Sequence, residues 1–177
     1  MNNNKIFVAK LGKAVGLQGH LRLFIDSDFP EQFKTGAVFS TNRNLQLKVL
    51  EYNSSRELIK FENYDDVDTA KKLTNQELYS TYEQTRQYCK LEKNEFFWFD
   101  LISCDVYEND LKLGTVKEIQ RYPLNDYLEI ITDEELVSKG LAKVFLIPHI
   151  FDKYVLDINI ETKIIKVIKS LEILENS

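Results

Sequence analysis

Residues 95–102 read Glu95-Phe96-Phe97-Trp98-Phe99-Asp100-Leu101-Ile102, four consecutive large rings set between acids near the middle of a 177-residue chain. Side chains on a strand alternate between its faces, so four rings in a row put at least one on the outer face. An exposed ring is costly unless a partner covers it, and aromatic residues are favoured interface anchors. The competing reading places all four rings in a core. The run follows a polar stretch without periodicity and marks the start of a second domain. The division is therefore 1–82 for a first β-barrel, 83–95 for a linker and 96–177 for a second barrel.

Upstream of the rings the chain reads as short strands parted by turns. Ile6–Leu11 is mostly apolar, residues 12–19 form a glycine-punctuated loop, and His20–Ile25 begins with polar/apolar alternation. Asp26-Ser27-Asp28 followed by Phe29–Phe33 predicts a capped single helical turn with Gly36 as its stop, and Leu45–Leu50 and Glu57–Phe61 predict a hairpin around Asn53-Ser54-Ser55. One short helix is expected after Asp65 as N-cap, with Val67, Ala70 and Leu73 on its apolar side. Downstream, strands are expected at 104–107, 113–119, 127–131 and 144–147, with a final hairpin at 155–158 and 163–168. Many short strands with almost no long helix predict an all-β fold of two small β-barrel domains in tandem, with short helical turns.

Charge is divided unevenly along the chain. Residues 1–90 carry 13 Lys+Arg against 11 Asp+Glu, and residues 91–177 carry 10 against 17, a net of −7. The acidic half is repelled by phosphate backbones and attracted to basic proteins. No apolar run approaches the ~20 residues that span a bilayer, so no membrane association is expected. Met1–Lys5 lead straight toward the first strand without a signal segment, and two cysteines outside any CxxC pair fit a reduced cytoplasmic setting.

The sequence offers little that could carry out catalysis. His20 and His149 are the only histidines, and neither has a metal-ligand neighbour at the right spacing, so no metal and no cofactor are expected. Cys89 or Cys104 meeting a histidine in space stays open, although no local signature supports it. Gly12, Gly16 and Gly19 match neither GxxxxGK[ST] nor GxGxxG, and read as a tight turn between barrel strands.

Several segments in order resemble the RimM family of ribosome maturation factors. They are Val8–Leu23 with its Gly16-Leu17-Gln18-Gly19 loop, Asp28–Phe33, Tyr64–Leu73 running on to Tyr79, and Glu95–Ile102. Leu113–Ile119, Asn125–Leu128, Phe145–Pro148 and Val155–Asp157 complete the series. The resemblance implies an N-terminal RimM barrel and a C-terminal PRC-barrel. It also implies a non-enzymatic, monomeric assembly chaperone that binds the immature small (30S) subunit through head-region ribosomal protein nineteen and promotes 16S rRNA processing. On this likeness Phe96 and Phe97 anchor the partner, Trp98 packs beneath as a wedge between the domains, and Asn125 and Asp126 belong to the binding region. Phe96-Phe97 stands where the family usually has tyrosines, so a hydroxyl hydrogen bond is unavailable there. Ala9, Val15 and Ser103 are further departures. The alternatives are a barrel that contacts rRNA directly through Lys10, Lys13 and Arg22, and an enzyme acting on RNA ends.

Overall fold

A computed structural model of the chain describes residues 4–177; Met1–Asn3, read above as the approach to the first strand, lie outside them. The chain divides into two compact units, 1–90 and 91–177. In both, strands are the main regular structure and the helices are short.

The first unit is a closed six-stranded barrel. Its strands are β1 (Lys5–Val15), β2 (His20–Ile25), β3 (Val38–Thr41), β4 (Gln46–Asn53), β5 (Leu58–Phe61) and β6 (Glu77–Thr81), in the order β1-β2-β5-β4-β3-β6, with β6 returning to β1. Period-2 alternation puts Leu47 and Val49 of β4 inside and leaves Lys48 and Leu50 outside. Phe33, which follows the 3-10 turn Pro30–Gln32, packs on Phe39 at 5.1 Å between ring centroids, so the expected helical turn delivers a core ring. β1 is longer than the sequence suggested, because the glycine loop shrinks to residues 16–19. Its register shifts between Phe7 and Ala9 against β6, and between Leu11 and Ala14 against β2. Such bulges let one long strand bend around a small barrel.

Helix α1 (Val67–Lys71) is capped by Asp66 rather than Asp65: one carboxylate oxygen of Asp66 accepts from the N–H groups of Asp68 at 2.8 Å and Thr69 at 2.9 Å. The stretch expected to be linker holds a second helix, α2 (Tyr82–Tyr88). Its start is a reciprocal capping box, in which Thr81 Oγ1 accepts from the Gln84 N–H and Gln84 Oε1 accepts from the Thr81 N–H. That Thr-x-x-Gln signal is present in the sequence but lacks the apolar periodicity that usually accompanies it.

The first regular element of the second unit is α3 (Trp98–Leu101), so the latter half of the aromatic run, Trp98 and Phe99, is helical and no part of the run is a strand. Strands β7 (Asp105–Glu108), β8 (Leu111–Arg121), β9 (Asp126–Thr132), β10 (Val144–Pro148), β11 (Val155–Asn159) and β12 (Ile164–Val167) form one barrel-like sheet in the order β10-β9-β8-β7-β12-β11. The β7–β12 pair is parallel, joining segments nearly sixty residues apart in sequence. α4 (Glu134–Ser138) lies between β9 and β10. Val106, Leu113, Val116, Ile130, Ile147 and Ile165 form the core. A terminal helix, α5 (Ser170–Glu175), was not expected. Glu108 supplies its missing cap across sixty residues, its carboxylate accepting from the N–H groups of Lys169, Ser170 and Leu171 at 2.7–3.1 Å.

Candidate functional site

The four rings straddle a change of backbone: Phe96 and Phe97 precede α3 and only Trp98 and Phe99 lie in it, where successive side chains are rotated by about 100°. Phe97, in extended backbone just before α3, is 5% exposed and stacks on the buried Phe99 at 5.1 Å with planes 7° apart. Trp98 meets Phe99 edge-on at 5.6 Å and keeps 39% of its surface exposed. It is the most exposed of the four rings. Phe96 is half-buried and stacks on Phe151 at 6.2 Å.

Phe96 leads toward Asn125 and Asp126 through Phe151, which carries no signal in the sequence, and His149, which the sequence offered only as a metal ligand or a partner to a cysteine. Phe151 lies 5.7 Å from the His149 ring, and the His149 N–H donates to the Asp126 carbonyl at 2.8 Å. Asp126 begins β9 at the tip of the β8–β9 hairpin, where Tyr122 packs edge-on against Tyr127 and Leu124 is 92% exposed. The second unit thus gathers Phe96, Phe151, His149 and the hairpin tip into one connected group, with apolar Tyr122 and Leu124 facing solvent. The signal was Tyr122-Pro123-Leu124 itself, two large apolar residues inside a turn.

The His149 Nε2 is buried without a hydrogen-bond partner, and burial pushes the imidazole below its ordinary range despite the opposing pull of Asp126. The unfolded chain takes up a proton as pH falls through about 6.5, while the folded chain resists it, so folded stability is lost on acidification. Urea unfolding followed by the fluorescence of Trp98, the chain's only tryptophan, is expected to show lower stability at pH 5.5 than at pH 7.5. That difference should shrink in His149→Gln; an equal difference in both proteins would reject the assignment.

The three cations singled out in the first unit lie together. Lys10 and Lys13 on β1 and Arg22 on β2 are all exposed. The bulge sets Gly12 and Lys13 jointly opposite Arg22, which turns Lys13 outward while Leu11 and Ala14 face the core. Arg22 Nη1 donates to the Arg56 carbonyl at 2.9 Å and lies 3.8 Å from the Glu57 carboxylate. Lys10 and Lys13 make no ion pair among the described residues.

The cysteines are placed as inert core groups. Burial pushes the Cys89 thiol up to about 11, and the Cys104 thiol, also raised by burial, donates to the Asp100 carbonyl at 3.3 Å. The nucleophilic thiolate is disfavoured at both positions. Among the described residues no group of three or more His, Cys, Asp or Glu side chains is placed to hold a metal ion.

Fold and surface define a class: two tandem β units, a closed barrel and a barrel-like sheet, that present rings on one and clustered cations on the other. Residues 6–85 match the RimM N-terminal domain, and residues 98–173 match the RimM PRC barrel domain. The chain is 78% identical to the ribosome maturation factor RimM of Aliarcobacter butzleri over 175 residues, covering 99% of this chain and 98% of that one. It is 48% identical to the protein of the same name from Sulfurimonas denitrificans, with 99% and 98% covered, and 45% identical to that of Campylobacter concisus over both full lengths. The chain belongs to the RimM family.

Proposed function

We propose that this protein is a non-enzymatic maturation factor, working as a cytoplasmic monomer, that binds the immature small ribosomal subunit through basic head-region protein nineteen and promotes 16S rRNA processing. The observation that carries this reading is the second unit's combination of exposed rings with a net charge of −7 over residues 91–177. Complementary charge speeds the encounter with a basic partner, and buried rings slow release. The shared name of its relatives, ribosome maturation factor, supports the same reading. So do the inert thiols, which leave no ready nucleophile at either cysteine.

The test is calorimetric titration of the full chain with purified ribosomal protein nineteen. Trp98→Ala and Leu124→Ser, both at exposed positions, are expected to weaken binding roughly 30-fold each if they are hot spots, with melting temperatures unchanged. Unaltered affinity in both variants would remove these two side chains from the interface. A second reading, direct rRNA contact by the first barrel through Lys10, Lys13 and Arg22, is favoured by the bulge that turns Lys13 outward beside Arg22.

A further inference from the structure

Phe24 is the most exposed ring described in this chain, at 56% of its surface, and it lies among the cations of the first barrel. It faces Lys10 directly across the β1–β2 pair, two residues along β2 from Arg22. Its ring folds back over β1: a Cβ built on Gly12 would come within 2.7 Å of Phe24 Cε2 and 3.0 Å of Arg22 Cβ. Gly12 is thus a floor without a side chain, on which the ring lies. The floor itself is pinned, because the neighbouring Leu11 donates its N–H to Gln76 and accepts from the Asn75 N–H, both at 2.8 Å. Two carboxylates border the patch, Glu57 beside Arg22 and Glu77 opposite Lys10, and the second accepts a hydrogen bond from the Tyr79 hydroxyl at 2.6 Å.

We propose that Phe24 is a stacking platform for an unpaired base of single-stranded RNA, with Lys10 and Lys13 holding the adjoining phosphates. This deepens the second reading above, on which it rests. An open aromatic face held by a fixed backbone and flanked by unpaired ammonium groups is the arrangement by which β-barrels grip single strands. A duplex has no free base face to offer it. Gly12 serves the platform directly, since any side chain there would lift the ring or displace Arg22.

The experiment measures fluorescence anisotropy of the full-length protein with labelled oligouridine, and with an RNA duplex of equal length, across a salt series. Wild type is expected to prefer the single strand, and Phe24→Ala and Phe24→Leu to lose roughly 5- to 150-fold in affinity, the range for one stacked base. Phe24→Tyr keeps the ring and should retain binding, whereas Lys10→Ala and Lys13→Ala should each reduce the log–log salt slope by about 0.7. Melting curves identify any variant that fails to fold, and Phe24→Tyr against Phe24→Leu remains decisive because both fill the same place. If Phe24→Ala binds like wild type while the lysine variants lose slope, stacking is overturned and the RNA reading stands. If wild type binds neither probe at low salt, or Phe24→Leu binds like Phe24→Tyr, the proposal fails.

Discussion

Phe97→Ala should unfold the protein at a temperature about 15 °C lower or more, whereas Trp98→Ala should leave the melting temperature within a few degrees. The two residues are adjacent, of similar chemistry, and opposite in placement: Phe97 is 5% exposed and stacked face to face on Phe99, while Trp98 is 39% exposed. Truncating a buried phenylalanine costs about 3–5 kcal/mol, from lost burial and from the cavity left behind. In a unit of this size each kcal/mol moves the midpoint by about 4–8 °C. Circular dichroism melts of the two variants suffice to check the ordering. Equal stability would mean that the aromatic run is not divided into an inner and an outer ring.

Gly19→Ala is expected to be as damaging by another route. Gly19 adopts φ +82°, and an added Cβ would lie 1.9 Å from the Tyr64 carbonyl oxygen and 2.9 Å from its carbon. The obstacle is backbone in the β5–α1 connection, which cannot rotate aside as a side chain would. Left-handed backbone costs a non-glycine residue about 1–2 kcal/mol, and forced overpacking about 1–3 more. Together these come to about 2–5 kcal/mol. Gly16 is the internal control: its φ is +71°, but nothing lies within 4 Å of an added Cβ. Gly16→Ala should therefore lose only the conformational part, and thermal melts that rank the two variants equally would reject the steric argument.

These outcomes trace how far residue patterns reach. The alternation at Leu45–Leu50 marked a strand because Leu47 and Val49 needed one side of the barrel and Lys48 the other. The same period-2 logic located the hairpin of β4 and β5 and the final hairpin of β11 and β12. The turn at Asn53-Ser54-Ser55 was legible because a short amide side chain can bond its own turn, and Asn53 Oδ1 accepts from the Arg56 N–H at 3.0 Å. α2 was missed because its capping box precedes residues with no apolar stripe. α5 was missed because its N-terminal N–H groups are capped by Glu108, a residue distant in sequence.

Local patterning by itself determined that this chain would form two units of short strands, where most of those strands lie, and that the second half would be acidic. Each follows from residue type and spacing between near neighbours. Only the tertiary structure decided that the first barrel closes through β6 on β1, that β7 runs parallel to β12, and that Phe97 turns inward while Trp98 turns out. It also decided that a bulge gathers Lys10, Lys13, Arg22 and Phe24 on one face. Pairing register and burial depend on contacts between residues far apart in the chain, so no window of neighbours contains the energies that select them.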